Sequence, residues 1–542
     1  MNGHMMKEDA SQRPFAGMRV LVQLALRRDR IALPAWVYVL IAIAASTGYS
    51  LRGLYPTEQS RAQFAAILNA TGSTIAIYGP VESTSLGGVT AWRIAVLAAV
   101  LAAVMSILLV VRHTRAEEQT GRQELLGASP VGRRAVPAAA LGVALLANSA
   151  VALGISVAMP LAGCTFTGAL ALGLAVGACG CFFAGLAALT AQFAQTSRGA
   201  NSAACAAVGV FFLIRATADA GGHRWLLWFT PLGWVERVGA YSANRWWVLA
   251  LPAAGALGLA VVATRLAAVR DLGAGLLGSR FGPERAGRDL SGPYGLAWRL
   301  HRGALLGWSI GFLVGGAAIG YIAKDIGGVL SSSSKLVQII DEIGGHQALV
   351  DAYLAASMGI FGLVAGAYAV QATLRARGEE SSGRAQLLLA GPVGRVRWAA
   401  GHCAAALLGS ALVLAAGGLG AGLAHGLRMH DVSGQVPRLV LAALAQWPAV
   451  AVVAALAAAL FGLLPARTPV AWAALTVFLL LGQLGPVLKL NQAVMDVSPF
   501  THLPRVPGDA WTWPPVGWLV ATAGGLLALA LDGFRRRDLD LD

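Results

Sequence analysis

Twelve apolar stretches of about 20 residues each recur along the whole chain, and they constrain its fold more than any other feature. A helix of that length rises about 30 Å, which is the thickness of the hydrocarbon core of a bilayer. The chain is 57% hydrophobic and 12% charged, whereas soluble domains carry about 25% charge. An all-α polytopic membrane protein is therefore predicted. The stretches lie near residues 31–50, 92–111, 135–159, 163–190, 200–219, 248–267, 303–323, 350–371, 398–424, 437–461, 468–486 and 516–533.

Arginines are concentrated in the segments on one side of these predicted spans, as the positive-inside rule requires of cytoplasmic segments. Both termini are therefore predicted to be cytoplasmic. This distribution accounts for the net charge of +15, so no nucleic-acid partner is expected. The opposite side receives two long loops, 51–91 and 324–349, and two stretches rich in Trp and Pro, 220–247 and 487–515.

Two charged blocks of 19 residues share 12 identical positions: RAEEQTGRQELLGASPVGR begins at Arg115 and RGEESSGRAQLLLAGPVGR begins at Arg377. Other similar pairs follow at nearly the same spacing, among them RIALPAW with RGALLGW, TPLGWVERV with SPFTHLPRV, and two copies of RDL. The spacing predicts a six-helix unit used twice in the same orientation, with a pathway between the halves. The predicted segments are a cytoplasmic N-terminus (1–30), a first half (31–267), a cytoplasmic linker (268–302), a second half (303–533) and a cytoplasmic tail (534–542).

Each charged block lies between the second and third predicted span of its half. A helix is predicted over Arg115 to Leu126, with favourable i,i+4 pairs Glu118–Arg122 and Glu380–Arg384. A solvated loop whose arginines only set the topology is the simpler alternative. It does not explain the repeated glutamates, because acidic residues contribute little to topology. A surface that binds a partner protein, most simply a dimer, is therefore favoured. The residues assigned to it are Arg115, Glu117, Glu118, Gly121, Arg122, Pro130, Arg133, Arg377, Glu379, Glu380, Gly383, Arg384, Pro392 and Arg395.

The sequence contains no motif for ATP hydrolysis and none for metal binding. No G-x-x-x-x-G-K-[ST] phosphate loop occurs, so the chain is expected to be neither an enzyme nor the site of a bound cofactor. The five cysteines show no metal-type or redox-type spacing. The closest histidine pair, His425 and His430, has no carboxylate or cysteine at ligand spacing. No metal site is predicted.

The duplicated blocks, the long outer loop after the first span of each half, and the Pro- and Trp-rich stretch before each last span resemble a known family. It comprises the permeases of actinobacterial ABC-2 exporters of polyketide antibiotics, the tetronasin-type group. The resemblance extends over nearly the whole chain. It implies that each block is a coupling helix that enters a groove on an ATPase subunit. It also implies elbow helices at Phe15–Arg28 and Pro293–His301, and re-entrant helices in the outer stretches.

The resemblance further implies a protein of the bacterial plasma membrane that exports hydrophobic or amphiphilic compounds such as antibiotics, drugs or lipids. ATP and Mg would be bound by the ATPase subunit. Most ABC-2 permeases have one six-helix unit per chain and dimerise, whereas this chain contains two. One copy is therefore expected to work with two ATPase subunits, in contact with membrane lipids and a hydrophobic substrate.

Two other classes of protein remain as alternatives. A proton-coupled secondary transporter of the major facilitator type also has twelve spans, parallel halves and a charged loop after its second span. The large outer loops and the lack of suitable acids in the early spans disfavour it. A membrane assembly or anchoring protein is a third possibility. A requirement for ATP and a second subunit would distinguish the exporter from both.

Charged residues inside the fifth predicted span require a partner or an aqueous cavity, because each would cost about 2.5–3.5 kcal/mol at the centre of a bilayer. Arg215 and Asp219 are spaced i,i+4, and Gln483 stands at the matching place in the second half. Either these groups line the substrate exit pathway, or an ion pair attaches the fifth span to the outer re-entrant segment. The residues assigned to the pathway are Phe211, Phe212, Arg215, Asp219, Phe478 and Gln483.

Overall fold

The computed structural model describes the chain as two compact units, Met1–Gly282 and Pro283–Asp542. The residues it describes are 14–69, 74–75, 78–122, 131–271, 273–277, 287, 292–330, 345–484, 491–508 and 511–538, without the side chains of 220, 325–330, 345–349, 483 and 484. Within these ranges every regular element is a helix and none is a strand. The predicted linker 268–302 includes the division between the units.

The first unit is built around two long, buried helices, Leu86–Val111 and Phe166–Phe193, whose side chains form most of its core. Side-chain caps define where several helices begin: the hydroxyls of Ser85, Thr196 and Thr230 each accept a hydrogen bond from a backbone N–H of the first turn. The helices are α1 Met18–Arg28, α2 Ala32–Leu54, α3 Glu58–Asn69, α4 Leu86–Val111, α5 Ala135–Leu161, α6 Phe166–Phe193, α7 Ser197–Ala220, α8 Pro231–Val238 and α9 Ala250–Val269.

The second unit repeats long apolar helices but also contains several short ones. Short 3₁₀ helices cover Pro465–Arg467 and Pro499–His502. The helices are α10 Pro293–Leu330, α11 Gly345–Thr373, α12 Arg375–Ser381, α13 Arg384–Leu389, α14 Arg395–Met429, α15 Val432–Leu444, α16 Trp447–Leu463, α17 Val470–Leu484, α18 Gln492–Met495 and α19 Trp513–Arg536.

Small residues allow helices to pack closely in both units. A Cβ on Gly173 of α6 would lie 2.3 Å from the carbonyl oxygen of Ala152 in α5. In the second unit, a Cβ on Gly316 of α10 would lie 2.0 Å from the carbonyl oxygen of Gly417 in α14. Close backbone approach through small residues is the usual way that helices associate in a bilayer.

Eleven of the helical segments in the described residues are long and apolar enough to cross a membrane. The chain is therefore a polytopic all-α membrane protein. One of the twelve predicted spans, 468–486, falls short of this: its apolar helix covers Val470–Gly482, and residues 485–490 lie outside the described ranges. The predicted span 437–461 is divided into α15 and α16, which meet at Ala445 and Gln446 before Pro448.

The two predicted elbow helices differ between the units. In the first unit, α1 is separate from α2, and the chain turns at Asp29, whose buried carboxylate pairs with Arg112 and His113. In the second unit the prediction of a separate helix at Pro293–His301 is wrong, because these residues are the start of the 38-residue helix α10. His301 occupies the place of Asp29 there. It stays within the helix and hydrogen-bonds His402 at 3.0 Å.

Candidate functional site: the two charged blocks

A left-handed glycine interrupts each charged block at the same position. In the first block a π-helical turn and the helical turn Glu117–Gln119 lead to Gly121, with φ of 71°. In the second, α12 leads to Gly383, with φ of 73°, and α13 follows. Only glycine adopts this conformation at little cost, which explains its repetition. The helix predicted over Arg115 to Leu126 is therefore interrupted at Gly121. Residues 123–130, including Pro130, lie outside the described ranges.

The side chain of the second glutamate of each block is buried and binds the arginine of the RDL segment of its own unit, just after the last helix of that unit. Glu118 accepts hydrogen bonds from Arg270 (2.9 Å), Arg115 (2.7 Å) and the backbone N–H of Gly273 (2.7 Å). The charged block and the RDL segment, both of which are repeated in the sequence, are thus in direct contact in the first unit.

The second unit forms the corresponding contact with better geometry. Glu380 is 5% exposed and accepts two hydrogen bonds from Arg537, at 2.6 and 2.8 Å. The Arg537 guanidinium also lies over the rings of Phe461 and Phe534, each 5.0 Å from the ring centroid. A bidentate pair flanked by aromatic rings fixes both position and orientation.

The first and last arginines of each block also bind their own unit. Arg115 is buried and donates to the carbonyl of Gln195, in the connection between α6 and α7. Arg377 donates to the hydroxyl of Thr468, in the connection between α16 and α17. The last arginines donate to backbone carbonyls at the end of the last helix, Arg133 to Ala268 and Arg395 to Arg537. Each block is thereby attached at two places to its unit.

The predicted i,i+4 ion pairs are wrong by one residue. Arg122 lies 3.7 Å from Glu117, and Arg384 hydrogen-bonds Glu379 at 2.8 and 3.2 Å, so both pairs are i,i+5. The glycine turn between glutamate and arginine alters the helical spacing and leaves the second glutamate to face inward. Glu117 also pairs with Arg28 of α1.

The outward surface of the second block consists of α13 and the turn that follows it. Arg384 is 61% exposed and Leu387 is 82% exposed. Gly391 and Pro392 are exposed as well. Leu125, the counterpart of Leu387, lies outside the described residues. The sequence prediction had combined inward-facing and outward-facing residues in one surface.

The residues assigned to the substrate pathway fall into two groups. Arg215 and Asp219 are buried on α7, 3.1 Å apart, and the Arg215 guanidinium lies 5.7 Å from the Phe212 ring. Arg215 also pairs with Glu236 of α8 at 2.6 Å. This ion pair joins α7 to the short helix α8, which is the contact described by the second of the two alternatives.

Two of the other pathway residues belong to hydrophobic cores. Phe211 packs against Phe182 and Phe183 of α6. Phe478 is buried in a small core of the second unit. The side chain of Gln483 lies outside the described part of the chain.

Sequence reasoning missed three of the charged residues that complete these sites. Arg270 and Arg537 begin the repeated RDL segments, and that repetition was the available signal for their contact with the glutamates. Glu236 lies within the repeated segment TPLGWVERV, but its counterpart is Pro504, so repetition gave no signal. In the described residues, no three His, Cys, Asp or Glu side chains are grouped in a way that could hold a metal ion.

Comparison with known proteins places the chain in a family. The family described as "Multidrug efflux system permease Rv1217c, C-terminal domain" matches residues 19–269 and 290–535. The multidrug efflux system permease protein Rv1217c of Mycobacterium tuberculosis is 42% identical over 531 residues, which cover 97% of this chain and 96% of that protein. The chain therefore belongs to the Rv1217c family of multidrug efflux system permeases.

Proposed function

We propose that this chain is the transmembrane permease subunit of an ATP-driven ABC-2 exporter of the tetronasin type. Its charged blocks bind two copies of a separate ATPase subunit, which holds ATP and Mg. Both termini lie in the cytoplasm of a bacterial cell, and the chain itself catalyses no reaction. The family and the multidrug efflux named for its mycobacterial relative support this assignment.

The exposed surface of α13 is the observation that carries the proposal. A leucine that is 82% exposed is ordinary where a helix faces lipid. Leu387, however, lies in a charged segment between two spans, next to an exposed arginine. Apolar anchors beside arginine are typical of residues that dominate protein–protein interfaces. Repeated buried contacts hold the rest of the block, so this surface is presented on a rigid support.

The same contacts provide a route for mechanical coupling. Arg377 binds Thr468 before α17, and Glu380 binds Arg537 after α19. A force applied to α13 would therefore act on the ends of two spans rather than on a loose loop. In the first unit, Arg115 and Glu118 make the equivalent contacts with Gln195 and Arg270. Closure of an ATP-bound ATPase dimer would move both sets, as in other hinge and shear transitions.

The proposed cargo is hydrophobic or amphiphilic. A groove of about 620 Å³ lies between α5, α6 and α9 of the first unit, within the usual size range of small-molecule sites. Its walls are mainly leucine and alanine, with a few polar groups such as Asn148, Ser149 and Ser156. Such a surface favours apolar compounds that enter from the bilayer.

Truncation of one exposed leucine tests the docking surface. We expect Leu387→Ala to weaken copurification of the ATPase subunit by about fivefold or more, since interface anchors contribute over about 1 kcal/mol. Leu408→Ala is the matched control, because Leu408 is 66% exposed on the membrane-spanning helix α14. If both variants retain the ATPase subunit as well as the unmodified chain does, α13 is not the docking surface.

A further inference from the structure

Two carboxyl groups converge on one guanidinium at the outer end of the first unit. Arg215 lies 3.1 Å from Asp219 on its own helix and 2.6 Å from Glu236 on α8. The side chains of Arg215 and Asp219 are completely buried, and that of Glu236 is 15% exposed. Gly79 closes the site from the outer loop, since its Cβ position is 3.1 Å from the Glu236 carboxylate.

The two acids also interact with each other. Both carboxylates contact the same atom, Nε of Arg215. A proton on one of them would balance the two acids against the single positive charge. Two ionised carboxylates beside a single guanidinium would also leave a net negative charge in a buried site, which is costly.

The surrounding charges do not remove the need for this proton. Glu82 and Arg224 neutralise each other at 2.6 Å and are both over 40% exposed. Arg237 lies over the Trp228 ring and donates to the Arg224 carbonyl. Other titratable and charged residues on the same and neighbouring described segments are Tyr78, Arg93, Cys179, Cys181, Arg198, Cys205, His223, Tyr241, Arg245 and Arg265.

We propose that Asp219 and Glu236 form a proton-binding site, in which one proton shared by the two carboxyls next to Arg215 holds α7 against α8. Burial raises the pKa of Glu236 to about 8, in agreement with an occupied site at neutral pH. Release of the proton to the outer solvent leaves two carboxylates facing each other across the α7–α8 contact and weakens it. The site does not depend on the proposed ATP-driven function.

Only one such site is expected in each chain. The repeat places Gln483 opposite Arg215 and Pro504 opposite Glu236. Neither counterpart can ionise, so the second unit lacks these two members of the site. Proton binding would therefore act on one half of the duplicated protein and not on the other.

Infrared spectroscopy of the purified full-length chain in lipid nanodiscs tests the proposal. A protonated carboxyl gives a C=O stretching band that shifts in D₂O and is distinct from that of a carboxylate. We expect this band at neutral pH, with loss of one proton as the pH rises past about 8. Glu236→Gln and Asp219→Asn should each abolish the band, because the remaining acid then ionises beside Arg215.

Glu82→Gln is the matched control, since Glu82 is a nearby outer acid with a different arginine partner, and this variant should retain the band. If a substituted chain does not fold, the pH titration of the wild-type band still tests the proposal. Absence of the band at neutral pH in the wild-type protein would overturn the proposal. So would its persistence in both the Gln and Asn variants.

Discussion

At the scale of single residues, the two adjacent glutamates of each block have different roles. Both glutamates are buried, but Glu380 binds the buried Arg537, whereas Glu379 binds Arg384, whose side chain is 61% exposed. Loss of the glutamate from a buried pair is strongly destabilising because the remaining charge has no compensation. An arginine that faces solvent stays hydrated when its partner is lost, so the cost is smaller. Identical residues one position apart should therefore respond differently to the same substitution.

We predict that Glu380→Gln lowers the free energy of unfolding by about 3–5 kcal/mol, because it strands the Arg537 guanidinium. Glu379→Gln should lower it by about 1 kcal/mol or less, because the remaining Arg384 guanidinium is mostly in solvent. Thermal unfolding of the detergent-purified variants measures both. If the two substitutions have equal effects, the Glu380–Arg537 pair is no more buried in the purified protein than the Glu379–Arg384 pair.

The raised pKa of Glu236 makes the stability of the folded protein depend on pH. Its pKa in the folded protein, about 8, lies above the ordinary value of 4.5, so the folded state binds more protons than the unfolded state between these values. Its contribution to stability is therefore complete below about pH 4.5 and declines as the pH rises to about 8. We expect the unfolding temperature to fall across this window, and Glu236→Gln to flatten the profile. An identical slope in the variant would assign the dependence to other groups.

At the scale of elements, the glycine turn sets the direction in which each block faces. Gly383 separates α12, which carries the inward glutamates, from α13, which carries the outward Arg384 and Leu387. A continuous helix would have placed all of them by 3.6-residue periodicity. Gly378, by contrast, lies within α12 with open space around it and no left-handed conformation.

We predict that Gly383→Ala destabilises the block by about 1–2 kcal/mol, the cost of a left-handed conformation for a residue with a Cβ. Gly378→Ala should stabilise it by up to about 1 kcal/mol, because alanine is the better helix former. Thermal unfolding gives the signs of both effects. If Gly378→Ala lowers the stability as much as Gly383→Ala does, the left-handed turn at Gly383 is not the cause of the loss.

At the scale of the whole molecule, hydropathy and repetition predicted most of the architecture. Ten of the twelve stretches correspond to single long helices because long apolar runs have few folding options in a bilayer. The contacts of Glu118 with Arg270 and of Arg215 with Glu236 were not predicted. Each joins residues from different elements, and tertiary packing, not local sequence, selects such pairs. The separation of inward and outward faces in the blocks also depended on a backbone turn.

The central claim, that this permease works only with a separate ATPase, is tested most directly by transport in proteoliposomes. The purified chain is reconstituted with or without its ATPase subunit, and export of an apolar fluorescent compound is followed with ATP or with a pH gradient. We predict no ATP hydrolysis by the chain alone, and ATP-dependent transport only when both proteins are present. Transport by the chain alone, driven by the pH gradient and indifferent to ATP, would contradict the account and favour a proton-coupled transporter.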